Sequence, residues 1–171
     1  MTCSFQGVVN DVGVFAPAAE SLKIQYRGIY GEHGHRIYSL AFWMTDNELT
    51  AEQLASNTFL RAFASAGTPT TEQIDHAFLT EVRGLIQVGA LTLSCAASPQ
   101  RKSVYGNMKR IDLECALVQL PATEKLIFLF HDVEGYDHER IGRLLRISER
   151  ESQYGLHQAR IRVRELVSRT S

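Results

Sequence analysis

Side chains able to move protons or bind metals crowd one short stretch, "HDVEGYDHE", among them His131, Asp132, Asp137 and His138. Imidazoles beside carboxylates are the material of acid–base catalysis or of a metal centre. A second pair, His33 and His35, stands two residues apart in "GEHGHRIY". No cysteine or acidic cluster completes a four-ligand set around it, and Cys3, Cys95 and Cys115 are scattered. The glycines form no phosphate-cradling motif. The pattern argues for no enzyme, no metal and no cofactor.

The other chemistry on offer is electrostatic. Residues 1–100 carry five Lys/Arg and nine Asp/Glu, a net of −4, whereas residues 101–171 carry thirteen and ten, a net of +3. Arginines crowd "YDHERIGRLLRISERESQYGLHQARIRVRELV", from Tyr136 to Val167. Such a split hints at different partners for the two halves. On charge alone two readings stay open, contacts to phosphates or solvated ion pairs along helix faces.

The elements that would position these groups are helical almost throughout. Strand alternation is scarce, and Pro17, Pro69, Pro99 and Pro121 fall at plausible breaks. Residues 1–19 read as a loosely ordered extension. A first helix is expected over Glu20–Tyr30, broken near Gly31 and Gly34, and a buried one over Arg36–Met44. Thr50 and Gln53 suit a capping box for a helix over Thr50–Ala66, with Leu54, Phe59 and Phe63 inward and Glu52, Ser56, Asn57 and Arg61 outward. Thr70 and Gln73 cap another, expected to run to about Leu93. "SCAASPQRKSVYGNMKR" loses periodicity and reads as a linker. Helices are then expected over Asp112–Gln119, Ala122–Val133, Asp137–Leu145 and Glu149–Ser168.

The last two of these are joined by Arg146-Ile147, with Ser148 and Glu151 as a capping box for the second. Two helices joined by so short a turn cross steeply, as a helix-turn-helix. The start of its second helix enters the major groove of duplex DNA. Glu149, Arg150, Glu151, Ser152, Gln153, Tyr154 and His157 would then face DNA, with Arg150, Arg160, Arg162 and Arg164 where the phosphates pass. The alternative is a helical hairpin with a solvated arginine face.

Two stretches carry a family resemblance. Leu120-Pro121, Val133-Glu134-Gly135 and Leu156-His157-Gln158-Ala159-Arg160, in that order around the helix-turn-helix, resemble the C-terminal domain of extracytoplasmic function (ECF) sigma factors. "RIYSLAFWMTDNELTAEQLASNTFLRAFAS" resembles the polymerase-clamp helices of their first domain. The resemblance covers most of residues 20–168. It assigns "HDVEGYDHE" to a helix end, a Gly turn and a new cap. It implies an all-α fold of two small helical domains joined by a flexible linker: an extension at 1–19, a polymerase- and −10-binding domain at 20–97, the linker at 98–111, and a −35-binding helix-turn-helix domain at 112–171. It implies core RNA polymerase and promoter DNA as partners, with an anti-sigma factor as a third. Glu52, Gln53, Ser56, Asn57 and Arg61 would grip the polymerase, and Phe78 and Arg83 would serve the melted strand.

The chain departs from the family pattern at Gln53, Ser56 and Asn57, where acids and a glutamine are usual. Around Phe78 the usual Trp and basic run are missing. In the last helix Ser152 replaces an apolar packing residue. These departures keep a second function in play: a sigma-like regulator that binds DNA or polymerase without melting promoters. No apolar run is long enough to span a bilayer, the N-terminus does not read as a signal peptide, and the scattered cysteines suit a reducing cytoplasm.

Overall fold

The computed structural model describes residues 15–64, 67–86 and 110–170, and among them every regular element is helical. Three helices come first: α1 (Phe15–Thr45), α2 (Glu48–Phe63) and α3 (Thr71–Leu85). Four follow: α4 (Arg110–Val118), α5 (Ala122–Phe128), α6 (His138–Leu145) and α7 (Glu149–Thr170). Helix α2 packs between α1 and α3, while α4, α5 and α6 gather on α7. The two groups also touch, through α3 against α6 and α1 against α4 and α5.

The expected break in the first helix does not occur. α1 runs unbroken for 31 residues through Gly28, Gly31 and Gly34, and it begins at Phe15, inside the stretch expected to be an extension. Each interior glycine costs a helix about 1 kcal/mol relative to alanine. Packing offsets that: Ile37, Leu40, Ala41 and Met44 are buried, Tyr26 stacks on Phe63 with ring centroids 4.3 Å apart, and Tyr30 lies 4.9 Å from Phe59. At Gly34 the fit is close, since a Cβ there would stand 3.3 Å from the Tyr30 ring.

Helix α2 starts earlier than expected. Asp46 adopts a left-handed conformation (φ 51°) and Asn47 becomes the N-cap, its side chain accepting the Thr50 backbone N–H at 2.9 Å. Asn47 is as good a cap as Thr50, and it places Glu48 in the first turn, where the helix dipole favours an acid. For α3 the Thr70–Gln73 capping box forms as expected, but the helix stops at Leu85, with Ile86 extended. The expected continuation to Leu93 and nearly all of the linker lie outside the described residues.

Ala122–Val133 is helical throughout, but its last turn, Leu129–Val133, widens to π geometry, with the Glu134 N–H bonded to the Leu129 carbonyl at 3.0 Å. Gly135 (φ 72°) then turns the chain, and Asp137 caps α6 by accepting the Arg140 N–H at 2.7 Å. Arg146 closes α6 in the left-handed region (φ 60°, ψ 46°). The turn into α7 crosses Gly142 so closely that a Cβ there would meet the Ile147 carbonyl at 2.8 Å. Ser148 and Glu151 then cap α7 reciprocally: the Ser148 N–H reaches the Glu151 carboxylate at 2.7 Å, and the Glu151 N–H reaches the Ser148 hydroxyl at 3.2 Å.

Candidate nucleic-acid interface

Position along α7 decides what each residue can touch. Leu156, Ala159 and Val163 form its buried stripe, with Ile141, Leu144 and Leu145 of α6 also buried. Ser152 lies one turn before Leu156 on that stripe. It is fully buried and shares a 3.0 Å hydrogen bond with His138 Nδ1. The expectation that Ser152 faces DNA is therefore corrected: it stands at the packing position the sequence had marked as unusual.

The outer side of the same turns carries Glu149, Arg150, Glu151, Gln153 and His157, all exposed, with Tyr154 half-buried. Glu151 is committed to the cap, and the Ser148 N–H and hydroxyl hold its carboxyl below the usual range. The Gln153 amide donates to Glu149 at 3.1 Å. Arg150 makes no ion pair among the described residues, and its guanidinium is open to a phosphate.

The arginines further along divide differently. Arg160 grips Asp132 through two hydrogen bonds, 3.0 Å from Nε and 2.5 Å from Nη2. Arg162 pairs with the buried Glu124 of α5. Burial pushes Glu124 up, and the Arg162 charge and hydrogen bond pull it only part of the way back. Arg143 pairs with Glu139 at 2.6 Å. Arg160 and Arg162 thus fasten α7 to its own group, whereas the Arg143 pair stays within α6.

The His/Asp stretch is likewise absorbed into structure. The rings of His131 and His138 stack 4.6 Å apart, Asp132 is held by His131 and Arg160, and Asp137 is a cap. Burial and the neighbouring His131 hold His138 below the ordinary histidine range, although Glu149 and Asp137 pull the other way. Among the described residues no group of three or more His, Cys, Asp or Glu is placed to hold a metal ion.

In the first group, α2 turns Leu54 and Phe59 inward, with Phe63 partly buried behind them. Glu52, Gln53, Ser56 and Arg61 are exposed and Asn57 is half-exposed. Arg61 reaches across to Glu81 of α3 at 2.5 Å. Two leucines share that outer side: Leu49 is 76% exposed and Leu60 is 69% exposed.

The two residues expected to serve a melted strand are both engaged within the protein. Phe78 is fully buried, so the expectation of base stacking on it is corrected: its ring fills the core beside Leu79 and Val82. Arg83 is exposed but donates from Nη2 to the carbonyls of Leu144 (3.4 Å) and Leu145 (3.3 Å), at the negative end of α6.

The sequence reading missed a polar cluster between the two groups. Asp75 of α3 is fully buried. Its Oδ1 accepts Arg36 Nη2 at 2.8 Å, and its Oδ2 accepts the Tyr136 hydroxyl at 2.8 Å and Arg140 Nη2 at 3.0 Å. Arg36 Nη1 also reaches Glu134 at 3.2 Å, and the Arg140 guanidinium lies 3.6 Å over the Tyr136 ring. Burial, with the Asp75 charge and hydrogen bond, pushes the Tyr136 hydroxyl up to about 12. The available signal was an acid placed between Ile74 and Phe78 on an apolar face.

The family described as "Sigma-70, region 4" matches residues 110–163, from the start of α4 to Val163 in α7. The ECF RNA polymerase sigma factor SigE of Mycolicibacterium smegmatis is 28% identical over 155 residues, which cover 82% of this chain and 60% of that relative. This chain thus spans less than two thirds of the relative's length. A solved structure of the sigma factor RpoE in complex with the anti-sigma factor NepR from Bartonella quintana superposes with a TM-score of 0.56, covering 89% of this chain and 97% of that one. At 15% identity this last likeness is one of fold.

Proposed function

Because this chain belongs to the ECF sigma factor family, we propose that it binds core RNA polymerase and directs promoter-specific initiation of transcription. The observation that carries this is the start of α7: a reciprocally capped helix, set by a tight turn against α6, that points Glu149, Arg150, Gln153 and His157 outward. A helix so presented fits the major groove, with Arg150 on a phosphate. Residues 112–171 would read the −35 element as duplex. Residues 20–97 would bind polymerase through Glu52, Gln53, Ser56, Asn57 and Arg61 and would engage the −10 element, with the chain crossing the enzyme between them. The role needs no catalytic residue, metal or cofactor of its own. It places the protein in the cytoplasm with the polymerase and admits an anti-sigma partner. Among the described residues no helix is long and apolar enough to cross a membrane.

Transcription in vitro with purified core enzyme on genomic fragments, followed by mapping of start sites, tests the proposal. Discrete starts that depend on the chain support it, and transcription indifferent to the chain removes it. A second reading, a sigma-like regulator that does not melt promoters, draws support from Phe78 in the core and Arg83 bonded to α6. Permanganate probing of the promoter separates the two, since only a melting factor makes thymines near −10 reactive.

A further inference from the structure

The outer face of α7 carries one amide whose two ends are told apart before any DNA is present. Gln153 is exposed, and its Nε2 donates to Glu149 Oε1 at 3.1 Å, one turn back along the helix. A carboxylate only accepts hydrogen bonds, so only the NH2 end of the amide can face it. The Oε1 end is thereby turned away from Glu149. Among the described residues this oxygen and the second amide hydrogen have no partner. Ser152, next in the chain, is buried against His138 and fixes the rotation of α7 that puts Gln153 outside. As a surface pair the bond adds little to the helix. What it does is hold an otherwise rotating amide in one sense, which lowers the entropy lost when that amide binds.

The neighbouring charge narrows what that amide can meet. Of the acids in the first turn, Glu151 is committed to the cap, whereas Glu149 keeps its negative charge on the outer face. In the major groove guanine shows two acceptors, N7 and O6, and thymine shows O4 and a methyl group. A carboxylate beside the amide repels both kinds of oxygen. Adenine and cytosine each offer an amino group instead. Of these two, only adenine also offers N7, the acceptor that the second amide hydrogen needs. We propose that the Glu149–Gln153 pair reads an adenine in the promoter duplex: Gln153 Oε1 accepts from N6, Gln153 Nε2 donates to N7, and Glu149 holds the amide in that sense. Gln153 is then a specificity-determining residue and Glu149 a positioning residue. The assignment rests on the sigma factor reading and adds to it the base that this face selects.

Selection from a library of randomised duplexes tests it, with core polymerase carrying the full chain as the binder and the retained DNA sequenced. The wild type should enrich a motif with one adenine whose replacement weakens retention by roughly 5- to 150-fold, the range of a good bidentate base contact. Gln153→Arg should move that one position from adenine to guanine, because a guanidinium is bidentate to O6 and N7, and should leave the other positions as they are. Gln153→Ala should flatten the preference at the same position. Glu149→Ala should keep the adenine but reduce its preference several-fold, a change that a merely structural role on the helix surface would not produce. An identical motif from the wild type and Gln153→Arg overturns the assignment, as does a base other than adenine at the position that Gln153→Ala flattens. Failure of the sigma factor reading shows itself differently: neither the wild type nor any variant enriches a motif, and no start sites depend on the chain, which removes the adenine contact with it.

Discussion

Arginines that look alike in the sequence do different work in the fold. Arg150 is exposed and unpaired among the described residues, whereas Arg160 and Arg162 are tied to Asp132 and Glu124. In a titration of promoter duplex with the full chain, Arg150→Ala should therefore reduce the salt slope of binding by about one unit. Arg160→Ala should leave that slope within error and lower stability instead, by up to about 1 kcal/mol, as expected for a partly exposed pair. Equal slopes for both variants would show the pairing to be irrelevant to DNA contact. Asp132 gives a further test. Burial raises its carboxyl, but hydrogen bonds and charge from Arg160 and His131 win and hold it below the ordinary range. A carboxyl so lowered adds stability above its unfolded value and loses it as pH falls through its folded value. Denaturation followed below about pH 4 should show a shallower acid limb for Asp132→Asn than for the wild type.

Most helix boundaries were legible because local chemistry decides them. Thr70 with Gln73, Asp137, and Ser148 with Glu151 all cap as their spacing suggests. Misreadings arose where tertiary contact outweighs propensity. The glycines of α1 looked like breaks but lie in a helix held by its packing on α2, and Phe78 looked like a stacking platform because its burial depends on chains distant in sequence. Ser152 was half legible, since its place on the inner stripe was visible while its partner His138 was not. Gly142 was overlooked: an ordinary helix residue by sequence, it is needed because α6 and α7 approach within van der Waals contact there. Gly142→Ala should cost about 1–3 kcal/mol, as overpacking does, and lower the melting temperature by several degrees. A melting temperature equal to the wild type would mean that the turn yields freely. On α2, Glu52→Lys should leave helicity and melting unchanged yet reduce co-purification with core polymerase. Undiminished co-purification would detach this face from the proposed docking.

The charge split along the chain acquires a double meaning in the assembled molecule. Part of it suits different partners, as the sequence suggested. Part is complementarity between the halves: an acid of the first half, Asp75, meets Arg140 of the second. Sequence alone could not reveal this, because 65 residues separate the two.

The uneven cover along α1 has a consequence for its motion. From Ile37 to Met44 it is locked into the core, whereas Leu22, Ile24 and Tyr30 are largely exposed and nothing lies within 4 Å of a Cβ added at Gly28 or Gly31. One continuous helix should thus behave as two dynamic units, its opening near the start requiring far less free energy than near its end. Amide hydrogens of residues 24–32 should exchange with deuterium well before those of residues 40–44. Gly28→Ala combined with Gly31→Ala, each favouring helix by about 1 kcal/mol, should slow exchange in the first unit while leaving the second at its wild-type rate.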